Sequence, residues 1–480
     1  MTIRTWASHL ALPLTVALLF FIGMLALYST LHTFEFDTDE GINVMKAMLL
    51  AKGYPLYDAI WSDQPPVLTY VLAAAFRLFG IQLDVARMTV LLFSCLLLGA
   101  AWQFLRSVGG IAFAVAGVVL IVLLPHYAVL SVSVMVGLPA LALAVVSLAA
   151  LAAWHQSRSV VWLVVSAVAL SLSILTKLFT GFLAPIFVAG LLLAEFLAAE
   201  PRSWRDRLWP AMVWSLVFGV LTGALLIGLV GDNMDQMWGT HLNARETMAH
   251  ESFWQKNALH NLRVTWFLTA LGILLVVATK RWLALYLVAW LGAGTLLLSR
   301  HAPLWYHHEL LITIPAAMLA ACAVGEASLW LYQSLHRQNR VSLRGLISVI
   351  VLIGVGLVVF DQVPRTVELF NRRAFSNKSN TDYALAAQMA ERASETHWVI
   401  TDRPMVAFQA GLLVPPHLAV FSQKRVITGD LTEEDMVDIF QEFRPEQVLI
   451  TRFDWPAISF IEEHYYTRLS EGVFVRNDIE

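Results

Sequence analysis

Runs of about 20 apolar residues recur along this chain, and they constrain its fold more than any other feature. A helix needs about that length to cross the hydrocarbon of a bilayer. Within lipid the backbone must satisfy its own hydrogen bonds, which makes helices the spanning form for such runs. They fall near residues 11–31, 84–106, 110–125, 133–154, 160–176, 179–198, 209–230, 263–279, 281–299, 308–333 and 343–361. The 480 residues are 58% hydrophobic and only 14% charged, far from the balance of a soluble domain. The expected class is a polytopic α-helical membrane protein of about eleven spans. The first segment carries a lone Arg4 ahead of a long apolar run without a small-residue cleavage site, so it reads as an uncleaved helix.

Charge divides the chain in two. Residues 361–480 hold 12 Lys and Arg against 19 Asp and Glu, whereas the preceding residues hold 20 against 16. An acidic tail of that length can bury a small core of its own. Within it, 396–401 and 446–451 read as buried strands, with a further strand at Phe474 and Val475. Asn380–Ser394 and Thr432–Phe443 read as helices, the second started by Thr432 with acids in its first turn. The expected organisation is a transmembrane body over 1–361, with outer loops 32–83, 231–263 and 299–309, followed by a soluble α/β domain over 362–480. Cys95 and Cys322 both lie in apolar runs, which suits packing and excludes a disulfide framework. The short loops rich in Lys and Arg alternate along the chain, so a cytoplasmic N-terminus places the first loop and the tail together on the opposite face.

The chemistry concentrates in that first loop. Asp37, Asp39, Glu40, Asp58 and Asp63 gather between the first span and Pro66, around a helix whose Ile42, Met45, Met48 and Leu49 form one stripe. Such a stripe suits a helix lying in the membrane interface, ended by Gly53 and Pro55 and flanked by the interface-type aromatics Tyr57 and Trp61. Asp37 and Glu40 stand at capping-box spacing, and acids favour a helix start in any case. Capping explains Asp39 less well; its carboxylate can serve as a general base toward a hydroxyl acceptor.

Further polar residues crowd the other outer loops. Arg245 and Trp254 lie in 231–263, and Arg300, His301, Trp305, Tyr306, His307 and His308 lie around 299–309. Lys177, at a span end, is either a snorkelling lysine or a functional cation. The pair His307 and His308, beside Glu309, opens an apolar helix at the membrane surface. Trp254, Trp305 and Tyr306 suit stacking on a sugar ring as well as the ordinary aromatic belt.

Asp39 and Glu40 at the end of the first span, Ala47, Gly53, and then Asp63, Gln64, Pro65 and Pro66 resemble the first outer loop of the GT-C superfamily. The narrower likeness is to the bacterial branch related to protein O-mannosyltransferases and lipid A aminoarabinose transferases. At motif level the resemblance covers the first 110 residues; the span layout and outer tail extend it along the chain. It implies an inverting glycosyltransferase, in the cell (plasma or inner) membrane, that moves a sugar from a polyprenyl-phosphate carrier to an envelope lipid, glycan or protein acceptor. Asp39 and Glu40 carry over as the catalytic pair. Asp37, Asp63, Lys177, Arg245, Arg300, His307 and His308 are the candidate substrate-binding residues, the cations among them for the phosphate leaving group. Relatives often place a second acid between the third and fourth spans, yet no Asp or Glu occurs from Val85 to Ala194. A divalent cation is a possible cofactor only if the 231–263 loop supplies the partner acid; otherwise the chemistry runs without metal. The competing classes are a transporter or flippase for an envelope lipid, and a non-catalytic assembly factor. Transport favours ionisable residues near span centres, and here the charges gather in outer loops.

Overall fold

The protein is described by a computed structural model, which covers residues 3–27, 33–196, 203–239, 262–301, 303–336, 343–374, 378–452, 461, 466–470 and 472–479. Ten helices lead the chain among them: α1 (Ile3–Ala26), α2 (Thr38–Ala51), α3 (Val67–Phe79), α4 (Leu83–Gly109), α5 (Ile111–Val122), α6 (Pro125–Leu130), α7 (Gly137–Ser157), α8 (Val160–Ile174), α9 (Leu183–Phe196) and α10 (Trp204–Leu229). There follow α11 (Arg263–Ala278), α12 (Leu285–Ser299), α13 (Leu310–His336) and α14 (Leu343–Ala374).

Every run singled out in the sequence carries a helix. Among the described residues, seven helical segments are long and apolar enough to cross a membrane, and α1, α5, α8 and α11 are shorter apolar helices at the remaining expected positions. The hub is α13, whose Ala316, Ala317, Ala320, Ala321 and Ala323 are all buried. Small side chains let neighbouring backbones close in, as helix pairs in lipid require. At Gly272 of α11 a Cβ would stand 2.0 Å from the Leu319 carbonyl oxygen, so the α11–α13 crossing admits only glycine there. By contrast α10 and α14 present apolar flanks outward, with Leu216, Ile227 and Phe360 exposed. Such faces suit lipid rather than water.

The tail contains α15 (Lys378–Ala390), α16 (Pro404–Gln409), α17 (Gln423–Ile427) and α18 (Glu433–Phe443), with strands β1 (Val399–Thr401), β2 (Gln447–Leu449), β3 (Tyr466–Ser470) and β4 (Val473–Arg476). The sheet runs β1-β2-β4-β3; β1 and β2 are parallel, and β4 is antiparallel to both its neighbours. Thr432 caps α18 through the Asp435 N–H while the Asp435 carboxylate accepts from the Thr432 N–H. This α/β unit is not walled off from the membrane body. Val44, Met45, Met48 and Leu49 of α2 share one core with Met405, Val406 and Phe408 of α16 and with Val399 of β1.

That shared core corrects the reading of α2 as an interfacial helix. Met45, Met48 and Leu49 are buried, as are most other positions of α2, because α3 covers one side and the tail the other. The stripe is real, but it faces protein. Tyr57, read as an interface aromatic, is buried as well and donates its hydroxyl to the Gln64 carbonyl at 2.7 Å. The last span also continues past 361 to Ala374, so the body and tail meet within one helix.

The α2–α16 crossing turns on Gly41, where a Cβ would lie 2.6 Å from the Met405 nitrogen. Gly41→Val is therefore expected to lever the tail off the first loop, at a cost of about 1–3 kcal/mol of stability. Thermal unfolding in detergent should report the loss, and limited proteolysis should show earlier cleavage within the tail.

Candidate active site

The first turn of α2 sends its three acids in different directions. Asp37 precedes the helix and accepts the Asp39 N–H at 3.1 Å, which satisfies one of the donors a helix start leaves unpaired. Its other carboxylate oxygen accepts the Tyr306 hydroxyl at 2.9 Å, tying α2 to the turn Tyr306–Glu309 before α13. Glu40 points inward. It forms a two-pronged pair with Arg87 of α4, both contacts 2.9 Å, and both side chains are fully buried. It also accepts the Phe36 N–H at 2.9 Å and the Val134 N–H at 3.1 Å. Asn43, one turn on, donates to the Val134 carbonyl at 2.8 Å. The residue expected as the catalytic neighbour of Asp39 is thus turned away from it, into an anchor that joins α2, α4 and the segment before α7.

Asp39 is left exposed in the first turn of α2. Confinement away from bulk water, with Asp37 and Asp63 close by, lifts its pKa to about 6, against the pull of Lys177 and Lys46. Asp63 is buried and forms an ion pair with Lys424 of α17 at 2.5 Å. Beside it, the Arg425 guanidinium lies 4.1 Å from the Trp61 ring centre, and burial lowers its pKa to about 10.

Lys177 sits in the turn after α8, its ammonium 5.1 Å from the Phe179 ring centre. Burial lowers its pKa to about 8 while Asp39 and Asp63 hold it up. The adjoining recess is small and partly open, with a cavity volume of about 20 Å³, and is lined by Gly137, Ala140, Lys177, Phe179, His307 and His308. Gly137 leaves room for the ammonium; a Cβ there would come to 3.8 Å of it. His308 accepts the Trp305 N–H at 3.3 Å, which orients its ring, and His307 keeps a buried Nδ1 without a hydrogen-bond partner among the described residues. His301 packs edge-on against Phe179, 4.5 Å between ring centres.

The fold thus gathers Asp37, Asp39, Asp63, Lys177, His307 and His308 from four separate stretches. Arg300 is exposed just beyond α12, and Asp58 is exposed and held by Asn233 at 3.1 Å. Arg245 and Trp254 lie outside the described residues. Among the described residues no three His, Cys, Asp or Glu side chains converge as a metal ion would require. Three lysines, Lys46, Lys177 and Lys424, face the three aspartates instead. Lys46 and Lys424 escaped the sequence reading. Lys46 had a signal, being a lone cation in the apolar stretch from Val44 to Ala51; Lys424 had none, since 361 residues separate it from Asp63.

Comparison with known proteins agrees with this architecture. The family model for dolichyl-phosphate-mannose-protein mannosyltransferases matches residues 63–222. The structure of ArnT from Cupriavidus metallidurans bound to undecaprenyl phosphate superposes with a TM-score of 0.64 at 16% identity, covering 99% of this chain and 98% of that one. The chain has the GT-C fold. A second GT-C structure, the archaeal oligosaccharyltransferase AglB from Archaeoglobus fulgidus with an inhibitory peptide and a dolichol-phosphate, superposes with a TM-score of 0.60 at 14% identity. It covers 99% of this chain and 74% of that one. No curated protein sequence gives a significant match.

The anchor beside Asp39 can be tested directly. Glu40→Gln strips the charge from one side of a buried pair and leaves the Arg87 guanidinium uncompensated, a change of about 3–5 kcal/mol. Thermal unfolding of the purified protein should show that loss, and adding Arg87→Met to Glu40→Gln should recover part of it.

Proposed function

We propose that this protein is a membrane glycosyltransferase that takes a sugar from a polyprenyl-phosphate carrier and passes it to a hydroxyl acceptor on the outer face of the membrane. The observation that carries the reading is that an exposed carboxylate, Asp39, lies within electrostatic reach of Lys177, which lines one recess with His307 and His308. Asp39 accepts the proton of the acceptor hydroxyl as that oxygen bonds to the anomeric carbon. The bond from that carbon to the phosphate oxygen breaks on the opposite face, and its electron pair leaves with the lipid phosphate. A single displacement of this kind inverts the anomeric configuration. Lys177, with His307 and His308, stabilises the charge that develops on the phosphate. The likeness to a structure that holds undecaprenyl phosphate and to another that holds a dolichol-phosphate supports a lipid-linked donor.

The same reading assigns the N-terminus to the cytoplasm and residues 362–480 to the outside of a cell membrane. The packing of α16 on α2 supports one shared face for the first loop and the tail. A reporter active only outside the cytoplasm, fused after Glu480, should be active.

The mechanistic test uses radiolabelled polyprenyl-phosphate sugars and a membrane lipid extract as acceptor source. A positioned base contributes about 10²–10⁴-fold, so Asp39→Asn should lower turnover by roughly that factor. Wild-type turnover should fall as pH drops through about 6, where the carboxylate of Asp39 takes up a proton and ceases to be a base. Asn still caps a helix start. Near-normal turnover by a folded Asp39→Asn protein would therefore remove Asp39 from the chemistry.

A further inference from the structure

Lys46 is fully buried, in a stretch of α2 where its sequence neighbours Met45, Ala47 and Met48 belong to the apolar core shared with the tail. An isolated ammonium in such a place costs several kcal/mol, and among the described residues this one makes a single hydrogen bond, to the Ser62 hydroxyl at 3.3 Å. Its register explains why it is there. Asp39, Asn43 and Lys46 stand at i, i+4 and i+7 of α2, and residues so spaced share one helix face. Ser62 precedes Asp63, so the hydroxyl that holds Lys46 also fixes it beside the second carboxylate.

We propose that Lys46 is a positioning residue: held by Ser62 and set on the helix face that carries Asp39, its ammonium keeps Asp39 ionised and so fit to act as a base near neutral pH. This rests on the reading of Asp39 as the general base. The other groups acting on Asp39 leave that task open. Asp37 at the helix start and Asp63 after α2 both oppose ionisation, as does confinement away from bulk water. Lys177 favours it from the turn after α8, but Lys177 also borders the space assigned to the phosphate, where a bound anion would compete for its charge. Lys424 faces Asp63 from the tail. Of these cations, Lys46 alone is carried by the helix that carries Asp39. Burial pushes the pKa of the Lys46 ammonium down, with Lys424 adding to the effect, and Asp63 and Asp39 push it back up.

The test reads Asp39 itself. Full-length protein labelled with carboxyl-¹³C aspartate is reconstituted in lipid and titrated by infrared difference spectroscopy, with Asp39→Asn as the blank that assigns the band. The wild-type carboxyl should titrate near pH 6. Lys46→Met, close in length and apolar, should raise that midpoint by up to about one pH unit, since Lys46 is the weaker of the two lysines that favour ionisation. Lys46→Arg should restore it to the wild-type side. The acid limb of turnover should move with the carboxyl. An unmoved midpoint in folded Lys46→Met would overturn the proposal, even if activity fell, because a purely structural lysine would behave that way. If Lys46→Met does not fold, Ser62→Ala takes its place: it frees the ammonium and should raise the midpoint by a smaller amount, and no shift overturns the proposal. Should the midpoint move while Asp39→Asn retains turnover, the base assignment fails and the effect of Lys46 on Asp39 stands.

Discussion

The site depends on the buried pair between Glu40 and Arg87. Two charges with no water around them persist only where each is matched in geometry and the remaining hydrogen-bonding positions are filled. The Phe36 and Val134 N–H groups fill them here. The result is a rivet through three elements, seconded by the hydrogen bond from Asn43 to the Val134 carbonyl. It fixes the rotation of α2 about its axis, and that rotation decides which way Asp39 faces. A helix turned by one residue would bury Asp39 and expose Glu40.

The membrane body was readable from the sequence because each span is a local signal. A run of apolar residues reports its own structure whatever it packs against. The strands at Val399–Thr401 and Gln447–Leu449 and the cap at Thr432 were readable for the same reason. The burial of α2 was not. Its stripe of Ile42, Met45, Met48 and Leu49 demands an apolar partner without naming it, and membrane interface and protein core satisfy the demand equally well. Only the fold, which lays α16 across Gly41, distinguishes them.

The site divides along the same line. Asp39, Asp63, Lys177 and the histidine pair could be picked out from residue type and position near span ends. The division of labour between Asp39 and Glu40 could not, since adjacent residues on a helix point about 100° apart and either might face inward. Nor could the counter-charges. Three aspartates near one recess repel one another, and the structure offsets them with lysines drawn from α2, from the turn after α8 and from the tail.

The contact between Lys424 and Asp63 bears on how the protein is made. The two residues are 361 positions apart, so the first outer loop leaves the ribosome long before its partner exists. At about 5–20 residues per second, that interval lasts tens of seconds. Throughout it the nascent chain threads helices into the bilayer while Asp63 lacks the lysine that will neutralise it and α2 lacks the tail that will cover it. The recess reaches its final electrostatic state only when synthesis is nearly finished, so a prematurely terminated chain would insert yet lack a completed site.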